Sequence, residues 1–306
     1  MKIFRKVTIM TIWGLLISAT GYAGTGETAG IILNKAVTVN QAALSGAVTA
    51  NSGLDTMRIN PAGLTGIKGQ DISLMYNNGY FEDNFISVAY AREMGFINMG
   101  ANIVYSATDK IGIWSEDNNY IEEIGQQDII VSFSASFDNL INSVPVGINL
   151  TMLNSSIFGN SATAFSAGAG LQHSLSLLGN ELRIGAGIQN IGTNIKYLEQ
   201  ETPLPSFGQA GVTYNFPLGK SELTLNTDLR LPLNSEDLYL MGGVKYDPVK
   251  NISLLVGGET NLDSNISQDK LNIGTEIRAG NYKFSYVVDM VKNIDLSHYI
   301  SIGFQL

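Results

Sequence analysis

The stretch Leu223-Thr224-Leu225-Asn226-Thr227-Asp228-Leu229-Arg230-Leu231 decides the fold class, because apolar and polar side chains alternate along it. Successive residues of a strand point to opposite faces, so the leucines share one face while Asp228 and Arg230 share the other. The stretch therefore predicts a strand with one apolar face and one polar face.

The same alternation recurs from about residue 70 to the end, in runs of about ten residues that are typical of transmembrane strands. We predict strands at 70–76, 84–92, 96–105, 127–137, 146–157, 162–175, 182–191, 206–216, 222–231, 238–246, 252–260, 268–278, 282–290 and 297–306. Connections that alternate between short and long match the turns and loops of bacterial barrels. The predicted fold is all-β, an antiparallel transmembrane barrel of about 14 strands over residues 67–306.

A soluble β-sandwich would also alternate, but its outer face would carry most of the charge. Charged residues make up only 15% of this chain, and the polar faces hold mainly Gly, Ser and Asn. This composition favours a narrow lumen lined by small polar side chains over a sandwich.

The N-terminus predicts export. Lys2, Arg5 and Lys6 precede an apolar run over 7–19, and Gly21-Tyr22-Ala23 then supplies a cleavage site. We therefore predict a signal peptide at 1–23. An exported barrel whose apolar face meets lipid belongs in the outer membrane of a Gram-negative-type bacterium.

Composition excludes several classes of function. The net charge of −9 disfavours a nucleic-acid partner, and the absence of cysteine excludes disulfides and thiolate metal sites. The chain has two histidines, His173 and His298, and both fall on the lipid-facing parity, at opposite ends of the predicted barrel. At that separation they cannot act together in acid–base catalysis. We expect no enzyme activity, no catalytic residues, no metal and no cofactor.

Residues 24–66 lack the alternation and are rich in Ala, Gly and Thr, which predicts a plug folded into the lumen. Within them, Asn60-Pro61-Ala62-Gly63-Leu64 combines a fixed φ at Pro61 with a free turn at Gly63. An ordinary turn before the first strand is the alternative interpretation.

This motif, with Ser45-Gly46 upstream, resembles the plug of the long-chain fatty-acid transporter (FadL-like) superfamily of outer-membrane barrels. A second stretch, Gly187-Ile188-Gln189-Asn190-Ile191-Gly192 with 203–205 and 211–214, is similar to the PorV/PorQ-type branch. The resemblance implies a barrel closed by an N-terminal hatch. It also implies either hydrophobic small molecules or secreted proteins as clients, the latter in a shuttle of the type IX secretion kind.

Charged residues fall on the polar parity of the strands, and this parity predicts that they face the lumen. They are Arg183, Asp228, Arg230, Lys245, Glu259, Glu276, Arg278, Lys283 and Asp289. Both signs occur, which favours a salt-bridged filling, and a polar client path is the alternative.

Two long external loops, 106–125 and 192–205, carry aromatic residues. Trp114, Tyr120 and Tyr197 are our candidates for contact with a protein client. They could equally fold over the barrel mouth. We expect a non-enzymatic barrel of PorV type that handles secreted proteins, with FadL-like transport of hydrophobic small molecules as the alternative.

Overall fold

In a computed structural model of the chain, the described residues are 28–79, 83–108, 111–114, 117, 120–141, 144–263, 269–291, 294 and 296–306. The predicted signal peptide and residues 24–27 lie outside them.

Eighteen strands are present in the described part of the chain. They are β1 (Gln70–Asn78), β2 (Asn84–Met94), β3 (Ile97–Ala107), β4 (Ile111–Trp114), β5 (Tyr120–Ile124), β6 (Gln126–Ile141), β7 (Val144–Ile157), β8 (Asn160–Leu177), β9 (Asn180–Gly192), β10 (Ile195–Lys196), β11 (Glu201–Thr202), β12 (Phe207–Leu218), β13 (Ser221–Pro232), β14 (Tyr239–Val249), β15 (Ile252–Asn261), β16 (Lys270–Ala279), β17 (Tyr282–Val291) and β18 (Ser297–Gln305).

Fourteen of these strands form a closed antiparallel barrel in the order β1-β18-β17-β16-β15-β14-β13-β12-β9-β8-β7-β6-β3-β2. The first strand closes against the last, with Leu74 opposite Ile302. Each predicted strand corresponds to one barrel strand, so the prediction of a 14-strand antiparallel barrel is confirmed. Closure leaves no strand edge unpaired in the wall.

Side chains alternate between the two faces of this wall. Outward positions such as Leu150, Phe133 and Ile103 are exposed and apolar, while the intervening Ser132 and Asn102 are fully buried inside. An outer surface this apolar is the reverse of what a soluble protein presents. The interior combines such polar side chains with a buried apolar cluster that includes Phe85 and Ile130.

We call the two ends of the barrel the mouth and the base. The mouth carries the connections 79–83, 108–125, 158–159, 193–206, 233–238, 262–269 and 292–296. The base carries the two-residue turns 95–96, 178–179, 219–220, 250–251 and 280–281. Gly95 and Gly179 adopt positive φ in these tight turns, which side chains disfavour.

Two short hairpins at the mouth lie outside the barrel wall. One pairs β4 with β5 and the other pairs β10 with β11. Both fall in stretches that we predicted as loops. Strands this short do not show the alternation of apolar and polar residues on which the prediction depends.

Residues 28–66, which we call the inner segment, pack against the inner face of the wall. The segment holds the helix α1 (Val39–Ala43) and 3₁₀ turns at Ile31–Asn34, Leu54–Thr56 and Pro61–Gly66. Its start is at the mouth, where the Ala29 amide donates to Pro203 O (3.0 Å). Its end is at the base, where Asn98 Nδ2 donates to Leu64 O (2.7 Å). The segment therefore runs the length of the lumen.

No helix in the described part of the chain is long and apolar enough to cross a membrane.

Candidate functional site

A cavity of about 600 Å³ opens at the mouth, between the wall and the first residues of the inner segment. We call it the vestibule. The inner segment contributes Ile31, Ile32 and Lys35 to its lining. The wall and mouth connections contribute Asp83, Pro205, Phe207, Arg230, Pro232, Asp237, Tyr239, Glu259 and Lys270. The lining thus joins apolar surface to charges of both signs.

A smaller cavity of about 300 Å³ adjoins the vestibule and shares Ile32, Lys35 and Asp83 with it. The Lys35 ammonium is ion-paired with Asp83 and lies 4.9 Å from the centre of the Phe85 ring. This pair anchors the mouth end of the inner segment to the wall between the two cavities.

The predicted motif 60–64 is fully enclosed. Asn60 caps the 3₁₀ turn, since its Oδ1 accepts from the Ala62 amide (3.3 Å). Its Nδ2 donates to Thr49 O (2.7 Å) inside the segment and to Leu171 O (2.9 Å) of the wall. One side chain therefore holds two turns of the inner segment against β8, and the motif does more than terminate a loop.

The second stretch, 187–192, joins the wall, the inner segment and a mouth loop. Gln189 Nε2 donates to Ile59 O (2.9 Å). Asn190 adopts a left-handed φ of 60°, where the register of β8 and β9 shifts, and its Nδ2 donates to Pro205 O (3.1 Å). Asn tolerates this backbone region better than other side chains. Through these contacts, a movement of the loop 193–206 would change the contacts of the wall with the inner segment.

A chain of hydrogen bonds links the inner segment to the vestibule. Asp228 Oδ2 accepts from the Thr49 amide (2.9 Å), from Thr49 Oγ1 (2.6 Å) and from Gln209 Nε2 (2.8 Å). Gln209 Oε1 in turn accepts from Arg230 Nε (2.8 Å). Arg230 is held in place by its neighbours, with its guanidinium 4.7 Å from the centre of the Phe207 ring.

Apart from Glu259, the remaining charges that parity predicts to face inward lie in ion pairs or hydrogen bonds along the lumen. Lys270 and Asp289 pair at 2.7 Å near the mouth. Toward the base, Arg278 pairs with Glu276, Lys283 with Asp71 (3.0 Å) and Lys245 with Asp247 (3.8 Å). Arg183 Nη1 donates to Ser52 Oγ of the inner segment (3.0 Å). Glu259 lines the vestibule.

Several site residues were missed by the sequence reasoning. Lys270 and Asp71 share the parity of predicted inward residues, so the pattern could have identified them. Lys35 and Asp83 could not have been found in this way, because they lie in the inner segment and a mouth connection.

The three candidate loop aromatics differ in their surroundings. Tyr197 is half-buried and its hydroxyl donates to Ser155 Oγ of β7 (2.7 Å), so it is directed at the wall, which agrees with the alternative of a loop folded over the barrel mouth. Tyr120 is 53% exposed. Trp114 pairs with Tyr120 through its backbone in the β4–β5 hairpin, and its side chain lies outside the described residues.

Comparison with known proteins gives a likeness of fold. No family model and no curated protein matches the chain. The toluene transporter TbuX of Ralstonia pickettii matches with a TM-score of 0.61 at 13% identity, over 87% of this chain and 97% of that one. The toluene transporter TodX of P. putida matches with a TM-score of 0.60 at 10% identity, over 94% of this chain and 99% of that one. A FadL homologue of Pseudomonas aeruginosa matches with a TM-score of 0.58 at 8% identity, over 89% of this chain and 98% of that one.

These likenesses show that the chain shares the closed-barrel fold of these proteins. None of these three structures is described as a PorV/PorQ-type protein, so the resemblance to that branch stays a prediction.

Proposed function

We propose that the chain is an outer-membrane uptake protein for small molecules with substantial apolar surface, and that residues 24–66 act as its plug. The observation that carries the proposal is the vestibule, which opens at the mouth and has the inner segment as its floor. Ligand sites of transport barrels need such a concave, partly apolar cavity.

The wall supports a location in the membrane. Its outward face is apolar on every side of the barrel, for example at Leu74, Phe133, Leu254 and Ile273. Together with the predicted signal peptide at 1–23, this surface suits a barrel that contacts lipid directly. Lipid of the outer membrane is then its first partner.

The fold likeness supports a transporter over an enzyme, since the matching proteins are described as transporters or a FadL homologue. A shuttle for secreted proteins, the other function expected from the sequence, needs an exposed docking surface of about 800 Å². Of the two candidate side chains that the structure describes, Tyr120 is exposed but Tyr197 is turned to the wall. Transport is therefore the better-supported function.

Passage across the barrel requires the inner segment to shift, because it contacts the wall along the whole lumen. A disulfide between the segment and the wall tests this requirement. Thr213 Oγ1 of β12 donates to Asn51 Oδ1 (2.7 Å), so Asn51→Cys with Thr213→Cys brings two thiols together. The chain has no cysteine of its own, so these would be its only thiols.

The measurement is entry of an apolar naphthylamine dye into a Gram-negative host that expresses the protein. We expect expression to speed entry several-fold, the oxidised double variant to abolish the gain, and reduction to restore it. Thr213→Cys alone is the control. An assembled barrel that does not speed entry would contradict transport, and an unaffected rate in the oxidised variant would contradict movement of the plug.

A further inference from the structure

Arg230 differs from the other two cations of the vestibule. Lys35 is paired with Asp83 and Lys270 with Asp289, whereas Arg230 forms no ion pair with a described residue. Its Nε is occupied by Gln209, and one face of its guanidinium covers Phe207. Neither Nη has a hydrogen-bond acceptor among the described residues, so both remain available to a ligand.

The guanidinium is also held in one orientation. Gln209, which accepts from Arg230, is itself bonded to Asp228 and to Gly46 O (2.9 Å). Asp228 is bonded to Thr49 of the inner segment. A guanidinium fixed in this way, with two free donors on one edge, matches the two oxygens of a carboxylate.

We propose that the vestibule binds a compact aromatic monocarboxylate, with its acid group on Arg230. The proposal rests on the proposed function, because it names the ligand chemistry of the same cavity. Pro205, Pro232, Tyr239 and Ile31 line that cavity and offer flat apolar surface for the ring. The cavity is closed below by the inner segment, which favours a short body over an extended chain.

Glu259 and Asp237 limit the ligand to one negative charge. Both line the vestibule, and neither forms an ion pair with a described residue. Asp237 is instead held by Asn261 Nδ2 (2.9 Å). A second acid group on the ligand would meet like charge here, which lowers affinity.

The test is calorimetric titration of the protein in detergent with benzoate, with benzyl alcohol as its neutral counterpart, and with terephthalate as the dianion. We expect benzoate to bind at least tenfold more tightly than either. Arg230→Gln should lower benzoate affinity tenfold or more and leave benzyl alcohol unchanged, whereas Glu259→Gln should raise affinity for terephthalate. Arg92→Gln, at the exposed base rim, is the matched control.

Equal binding of benzoate and benzyl alcohol, or no binding of either, overturns the proposal. So does an equal loss of both ligands in Arg230→Gln, since that would show a purely structural role. Heat-shifted mobility on a detergent gel verifies that each variant is folded. If the protein speeds dye entry but binds benzoate no more tightly than benzyl alcohol, transport stands and this inference is refuted. If it binds benzoate selectively but does not speed dye entry, this inference stands and transport is refuted.

Discussion

Two ionisable side chains of the inner segment form no ion pair with any described residue. Arg58 is 5% exposed, donates from Nη2 to Leu33 O (2.5 Å), and has no partner at Nη1. Burial lowers the pKa of Arg58 to about 10. Burial likewise raises the pKa of Asp55, although Thr38 Oγ1 donates to this carboxyl (2.6 Å). The charged form of either side chain therefore opposes the docking of the segment.

The raised pKa of Asp55 predicts a pH dependence of stability. The folded state holds the proton more tightly than the unfolded state, whose pKa is near 3.8, so the stability due to this group is full below that value. It is lost as pH rises through the folded pKa. We expect Asp55→Asn to match the wild type in acid and to become the more stable protein above this window, in thermal unfolding at a series of pH values. A difference in stability between the two proteins that stays the same at every pH would contradict this prediction.

For single residues, the sequence predicts which face of the wall a side chain lies on, but not which residues it contacts. Parity puts Asp228 on the inner face, yet nothing in the pattern links it to Thr49, which lies 179 positions away. Tyr197 shows a second limit, because the sequence alone does not decide between an exposed aromatic residue and one folded over the mouth, and only its contact with Ser155 does.

At the scale of elements, the inner segment meets the wall where the wall has glycine. A Cβ at Gly147 of β7 would lie 2.4 Å from Ala62 N, and one at Gly257 of β15 would lie 2.4 Å from Ala43 O. Backbone therefore packs directly on backbone at two sides of the lumen. Such close approach requires the absence of a side chain.

Gly147→Ala should therefore displace the 3₁₀ turn at Pro61–Gly66 from β7. We expect a loss of about 1–3 kcal/mol in the free energy of unfolding, measured with denaturant in detergent. Gly242→Ala is the matched control, since a Cβ there would meet nothing within 4 Å. Equal stability of the two variants would show that the turn yields without cost.

Strands were more predictable than the inner segment for a physical reason. A strand with one face toward apolar surroundings must alternate, and β13 shows that pattern over residues 224–232. The path of residues 28–66 depends instead on close packing between small residues, such as Ala43 and Gly257. Composition alone does not reveal which of these residues pack together.

On the scale of the whole molecule, the outward face decides where the barrel can reside. Leu225 lies near the middle of β13 and is 38% exposed on that face, and its neighbour Thr224 points inward. An arginine at a lipid-facing midplane position costs about 2–4 kcal/mol.

Leu225→Arg should thus impair assembly in the outer membrane, while Thr224→Arg should be milder. The fraction of heat-modifiable barrel recovered from the membrane measures both. Equal recovery would show that the outward face does not meet lipid.

The course of the inner segment also imposes an order on assembly. Its first described residues are bonded at the mouth, its last residues are at the base, and the wall closes between β1 and β18. Because β18 completes the ring, the wall encloses no space until the β1–β18 seam has formed. We therefore expect the segment to be in place before the β1–β18 seam closes, so that the wall forms around it, and the segment then leaves only if its contacts or the seam break.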